Sequence, residues 1–399
     1  VKQYGTLLHG IHYKTGKPVE LVVSGGRIVT IRETEGEEGL ESLPWIAPGL
    51  VDLQLNGYEG LDFNQEPLTE ETVHRVTKAL WKEGVTSYYP TVITNGADEI
   101  ERLVRTIAEA CASDSLTGRC ISGIHLEGPF ISPEDGARGA HASQYVTAPD
   151  WELFQRWQGA ACGLIKFVTM SPEWPGSEDF IRRCTAEGVI VSIGHTSATP
   201  EQIKAAAAAG ARASTHLGNG AHLQMPRHPN YIWEQLAADE LYACMIADGF
   251  HLPDSVLKVF MKTKGEQAIL VSDAVYLCGM KPGTYTTHIG GEVVLAESGK
   301  LHLAHNPGLL AGSAQMLLWG IEHLISRGLC DFATAWEMAS IRPSKLMQAE
   351  AEEGLQPGAP ADLVLLERDG GRLNVSATYK GGVLVYERER AAAGASNDG

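Results

Sequence analysis

The chain of 399 residues is too long for one small domain and suits a barrel with an accessory module; its 44% hydrophobic and 20% charged content is that of an ordinary soluble globular protein. A formal net charge of −17 argues against broad nucleic-acid or anionic-membrane binding, but leaves room for one local basic pocket around a phosphorylated metabolite. Seven scattered cysteines without a C-x-x-C pair, no signal-like opening and no bilayer-length apolar run set the expectation of free thiols in a cytoplasmic protein.

Residues 1–47 alternate short β-rich runs such as "PVELVVSGGRIVTI" with a turn at Gly25-Gly26. From residue 48 onward strand-like and helix-like patterns alternate. The strand candidates are "GLVDLQLNG", "TSYYPTVIT", "SGIHLEGPF", "LIKFVTMSP", "VIVSIGHTS", "ASTHLG", "YACMIADGF" and "AILVSDAV". Amphipathic runs such as "EETVHRVTKALWKEG" and "PEQIKAAAAAGAR" lie between them and often stop at Gly. After residue 345 the β-rich style returns in "ADLVLLERDGG" and "LNVSATYKGGVLVYERE". The pattern predicts an α/β protein: a (β/α)8 TIM barrel over 48–345, with a small β-sandwich domain formed by both chain ends, 1–47 and 346–390. Two separate hairpins are the alternative for those ends, at the cost of more exposed sheet edge. The small, polar stretch 391–399 is expected to be disordered.

In such a barrel the chemistry sits at the C-terminal ends of the strands. Those ends carry Glu127, His195, His216, Asp248, His251 and Asp273. One carboxylate and two imidazoles, Glu127 with His195 and His216, have the composition of a catalytic zinc site with a position left for water. Asp273, after the last strand, has the chemistry of a general base. A lone strand-end His is more often a hydrogen-bonded structural residue; here suitable residues recur at strand ends three, five, six and eight. The first strand raises a question, because it ends in Gln54-Leu55-Asn56. Residues i and i+2 share a face of a strand, and many barrel hydrolases carry His-x-His there as metal ligands. Neutral amides bind zinc poorly.

The stretches "APGLVDLQLNG", "GIHLEGPFISPEDGARGAH", "SIGHTSA", "STHLGNG", "IADGFHLP", "LVSDAV" and "LLAGSA", in that order, resemble the N-acetylglucosamine-6-phosphate deacetylases of the amidohydrolase superfamily. Some members of that family keep Gln-x-Asn on the first strand and work with one metal. The resemblance implies one divalent ion per subunit, zinc before iron, cobalt or manganese, held by Glu127, His195 and His216. It implies Asp273 as the base that takes a proton from water and returns it to the departing amine. His141, in "GARGAH", would polarise the acetyl carbonyl; read alone it is only a loop histidine. Asn219 and the Gly220 backbone would contact the ligand, with Arg227 and His251 on the phosphate. In relatives one of these residues comes from the neighbouring subunit, which implies a homodimer.

The chain departs from the family after His216. In "HLGNGAHLQMPRHPN", Gly218 stands where relatives have an aromatic residue, and Arg227 is followed by His228, Pro229 and Asn230. His222 and His228 add positive charge or mark a different sugar. Lys166 raises the rival idea of a carboxylated lysine bridging two metals, but Gln54 and Asn56 offer a second metal little, so a structural lysine is preferred. His125 shares Glu127's face of the strand and suits a supporting role. "GLLAGSA" suits a close-approach loop over the sugar at Gly312. The expected function is deacetylation of N-acetylglucosamine 6-phosphate, a small-molecule partner. The alternatives are another N-acetyl amino sugar, such as N-acetylgalactosamine 6-phosphate or unphosphorylated N-acetylglucosamine, and a non-catalytic sugar-phosphate sensor, which would have no need of Asp273.

Overall fold

The computed structural model describes residues 5–35, 43–287, 291–369 and 372–389. The tail expected to be disordered, 391–399, lies outside the described residues. Four strands open the chain: β1 (Thr6–His12), β2 (Pro18–Ser24), β3 (Arg27–Glu33) and β4 (Trp45–Pro48). Eight parallel strands follow: β5 (Leu50–Leu55), β6 (Val85–Ile93), β7 (Ile124–Glu127), β8 (Ile165–Met170), β9 (Ile190–Ile193), β10 (Ala213–Ser214), β11 (Tyr242–Met245) and β12 (Ala268–Leu270). Each pairs with the next in chain order. A parallel bridge between Leu55 and Ala274, with Asp273 N–H donating to the Gln54 carbonyl at 2.9 Å, joins the last strand's end to the first. All eight expected barrel strands are therefore present, and closure sets Asn56 beside Asp273.

The strands read as nearly unbroken apolar runs because helices cover the sheet from outside. Helix Pro200–Ala209 shows how locally these starts are encoded: Thr199 and Gln202 form a capping box and Pro200 opens the first turn. The main core lies between strands and helices, with Trp157, Trp336, Phe130 and Phe154 among its largest fully buried side chains. A smaller apolar cluster including Val51, Leu53, Phe167, Ile246, Ile269 and Val271 comes almost entirely from the strands and fills the barrel interior. Phe167 meets the His125 ring edge-on, so the polar layer begins directly on this apolar plug.

After β12 the chain builds a four-stranded antiparallel sheet that the sequence reading did not anticipate: β13 (Gly283–Thr287), β14 (Gly291–Leu295), β15 (Leu301–Leu303) and β16 (Asn306–Leu310). The last three strands, β17 (Leu363–Asp369), β18 (Arg372–Lys380) and β19 (Val383–Glu387), join the first four in one sheet of order β19-β18-β17-β4-β1-β2-β3. Both chain ends thus share one sheet, and the two-hairpin alternative does not occur. The sheet curls, so that Ile28 N–H at its far edge reaches the Ala359 carbonyl at 2.9 Å and encloses a small core around Leu21, Ile46 and Leu363. Among the described residues no helix is long and apolar enough to cross a membrane.

Candidate active site

Three strand ends converge at the top of the barrel. The last residue of β7, Glu127, places Oε1 3.3 Å from His195 Nε2 and 3.0 Å from His216 Nε2. The two imidazole nitrogens are 3.0 Å apart. His141 Nε2 joins from a loop, 3.2 Å from His195 Nε2, and Glu127, His141 and His195 form a group able to hold a metal ion. All four residues are buried.

The donor set fits a divalent metal. His195 Nδ1 lies 3.0 Å from the Ala137 carbonyl, which accepts its proton and leaves Nε2 as a bare lone pair facing the Glu127 carboxylate. Lone pairs crowded at 3.0–3.3 Å repel unless a cation or proton lies between them. Ligands about 2.0–2.1 Å from a tetrahedral zinc stand about 3.3 Å from one another, close to the spacing found. Of the two histidines that complete a triad with Glu127 and His195, His216 touches both partners more closely than His141 touches His195. His141 Nδ1 lies 2.9 Å from Thr94 Oγ1, and His216 Nδ1 is buried without a hydrogen-bond partner.

The first-strand amides explain themselves here. Gln54 Nε2 donates to Glu127 Oε1 at 2.9 Å, and Asn56 Nδ2 donates to Asp273 Oδ1 at 2.8 Å. Each amide orients an acid. A register slip in β5 between Asp52 and Leu55 accompanies this arrangement. Burial pushes the Asp273 carboxyl up to about 7, with the Glu127 charge adding to the effect and His216, His251 and the Asn56 hydrogen bond opposing it. Burial acts the same way on Glu127, but the adjoining His195 and His216 imidazoles outweigh it and hold that carboxyl well below its usual range. Burial, then His195, pushes the His141 imidazole down to about 3, so it is neutral.

Among the described residues six non-glycines have positive φ, and His195 (47°), His216 (26°) and Asp273 (46°) are three of them. Left-handed backbone costs about 1–3 kcal/mol per residue, and such strain gathers where the surroundings hold functional groups in place. Glycines let backbone crowd the same rings: a Cβ on Gly220 would stand 2.6 Å from the His195 ring, and one on Gly139 would stand 3.1 Å away.

The cluster opens into a cavity of about 760 Å³. Asn56, Glu127, His141, His195, His216, Asn219, Gly220, His251 and Asp273 all line it, together with part of the four-stranded sheet and the Gly308–Gly312 stretch. His251 Nδ1 is 2.7 Å from Asp248 Oδ2, and Asp248 also accepts the N–H groups of Phe250 and His251, so its loop is braced. Arg227 and His228 are exposed, and Arg227 is not among the residues lining the cavity. His222 pairs with Tyr231 and Glu134. At Gly218 φ is 91°, and an added Cβ would meet Leu252 at 3.0 Å, so glycine suits this backbone. Lys166 sits one residue into β8, at the barrel's opposite end, away from the cavity lining. His125 is bound within the barrel by the Leu53 carbonyl and Thr169 Oγ1, two residues behind Glu127, and burial lowers it to about 4.

Sequence reasoning missed Thr94, the hydrogen-bonding roles of Gln54 and Asn56, and the wall built by β13–β16. For the wall a signal existed in the β-branched and aromatic run "TYTT" and the turn-forming "ESGK".

A family model described as "Amidohydrolase family" matches residues 45–385. N-acetylglucosamine-6-phosphate deacetylase of Bos taurus is 33% identical over 358 residues, covering 87% of this chain and 84% of that protein. The enzyme of the same name from Bacillus subtilis is 33% identical over 328 residues, covering 81% of each. The crystal structure of N-acetyl-D-glucosamine-6-phosphate deacetylase from Mycobacterium smegmatis matches at a TM-score of 0.84 and 26% identity, covering 96% of this chain and 100% of that one. A mutant of that enzyme, solved in complex with N-acetyl-D-glucosamine-6-phosphate, matches at 0.83. By the span of the family model and the identity to these relatives, the chain belongs to the amidohydrolase family.

Proposed function

We propose that this chain is a metal-dependent deacetylase that hydrolyses N-acetylglucosamine 6-phosphate to glucosamine 6-phosphate and acetate. The observation that carries the reading is one cavity in which a Glu127–His195–His216 donor set stands beside an Asp273 carboxyl fixed by Asn56. Its likeness to relatives that bear this activity's name supports it.

Glu127, His195 and His216 would hold one divalent ion, zinc by the nitrogen and oxygen donor set, and such an ion polarises a carbonyl and makes water more acidic. Asp273 takes the proton of the attacking water and delivers it to the amide nitrogen as the C–N bond breaks. Without that proton the amine is a very poor leaving group. The burial that raises this carboxyl opposes the lowering effect of a bound cation, which favours a base able to return its proton near neutral pH. His141 is neutral and can donate to the acetyl oxygen as negative charge develops there. Asn219 and the Gly220 backbone position the sugar, and His251 holds the phosphate from this chain's own loops. Arg227, exposed on its own chain, would reach a phosphate as a residue of a second copy, and a homodimer is part of the proposal. Two exposed apolar side chains near it, Leu223 (90% exposed) and Trp233 (53%), suit coverage by that copy.

Acetate release should be assayed on N-acetylglucosamine 6-phosphate, N-acetylgalactosamine 6-phosphate and N-acetylglucosamine, with divalent metal supplied. The highest kcat/KM on the first supports the proposal. A preference for either of the others reassigns the substrate, and no release from any of them points to the sensor reading.

A further inference from the structure

The cavity holds one cation that the proposed machinery does not use. Among the described residues, Lys300 is the sole lysine or arginine lining it, since Arg227 lies outside the lining. On a chain with a formal charge of −17, and in a cavity that already contains Glu127, Asp273 and Asp62, a dianionic phosphate needs a local positive charge. Lys300 immediately precedes β15, in the wall formed by the four-stranded sheet. Its Nζ donates to the Pro307 carbonyl at 2.9 Å, which steadies the side chain and uses one of three donors, leaving two for a ligand.

The wall also sets how far Lys300 stands from the reacting end. Ala274, next to Asp273, bridges to Ser313; two residues back, Ala311 N–H bonds the Leu301 carbonyl at 3.1 Å, and Lys300 adjoins Leu301. Two strand spacings and two residues of extended chain amount to on the order of 16 Å between Ala274 and Leu301. Lys300 and Asp273 thus line the same cavity from separate, linked parts of the fold. Its neighbours in this wall, Leu301, Leu309, Leu310 and Ala311, have apolar side chains, so the charge there comes from Lys300.

We propose that Lys300 is a specificity-determining residue of this chain, contacting the phosphate of the substrate from the four-stranded sheet. The proposal rests on the deacetylase reading above and adds to it, beside His251 and Arg227, a further residue that distinguishes phosphorylated from unphosphorylated sugar. A lysine meets phosphate as a compact point charge with rotatable donors, so the contact contributes binding to ground state and transition state alike.

The test compares kcat/KM for N-acetylglucosamine 6-phosphate and for N-acetylglucosamine in wild type, Lys300→Met and Lys300→Arg, with unfolding midpoints as a folding control. Lys300→Met should lower the phosphorylated-to-unphosphorylated ratio about 10- to 100-fold, chiefly through KM, and Lys300→Arg should restore most of it. If Lys300→Met does not fold, Lys300→Gln, which can still donate to the Pro307 carbonyl, carries the same comparison. A wild-type ratio well above one that stays within about twofold in the charge-removing variant overturns the role of Lys300 and leaves the deacetylase reading standing. A wild-type ratio near one overturns the phosphate reading, and this proposal with it.

Discussion

The two ends of the cavity are built differently. At the reacting end, Glu127, His195, His216 and Asp273 come from barrel strand ends, locked by short hydrogen bonds, strained backbone and glycine contacts. At the other end the wall includes Leu223 and the four-stranded sheet, where Leu223 and Leu309 are exposed. The difference teaches that reaction type and substrate identity are carried by separable parts. Closure of the barrel dictates the first, since β5 and β12 cannot meet without bringing Asn56 to Asp273. Surface connections, free to vary without disturbing the barrel, set the second.

Breaking the reacting end should have the largest effect. Asp273→Asn keeps the shape but cannot accept the water proton, so turnover should fall by about 10²- to 10⁴-fold with the bound ion retained, measurable by steady-state kinetics and elemental analysis. At the other end, Arg227→Ala should lower kcat/KM for the phosphorylated sugar by roughly 10- to 100-fold and leave the unphosphorylated sugar nearly unchanged. An equal loss on both would erase the proposed separation of the two ends. A subtler cut is Asn56→Ala. The Asn56 hydrogen bond lowers the Asp273 carboxyl, so its loss should raise it further. A base works only unprotonated, and the rising acid limb of the kcat/KM profile should therefore move to higher pH, with a loss at neutral pH of about tenfold or less. The smallest effect is on stability. Gly220→Ala sets a Cβ against the His195 ring at a positive φ, and should lower unfolding free energy by about 1–3 kcal/mol in denaturant titrations.

The barrel was legible because each strand is an apolar run that stops at a polar residue, and those stopping residues, Glu127, His195, His216 and Asp273, are the ones the fold gathers in the cavity. Gln54 and Asn56 were legible only as poor ligands. Their partners lie 73 and 217 positions away, and no local pattern announces a hydrogen bond of that kind. The four-stranded sheet escaped because its apolar face is short, Val293, Leu295 and Leu301, while β13 is mostly exposed and β16 almost wholly so. With it went Lys300, which in sequence is one surface-like lysine among many. Arg227 matched a motif and an approximate spacing, yet its own chain leaves it in solvent, because spacing along a loop does not fix the direction of a side chain.

The central claim is a single-metal reacting end, with Gln54 and Asn56 committed to the acids and unable to build a second ion site. It is tested most directly by stripping the protein with a chelator and titrating zinc back while following acetate release from N-acetylglucosamine 6-phosphate. Activity should rise in proportion to added ion and level off at about one equivalent per chain, with elemental analysis after dialysis giving the same stoichiometry. A plateau at about two equivalents, or acetate release that ignores the ion, would contradict it.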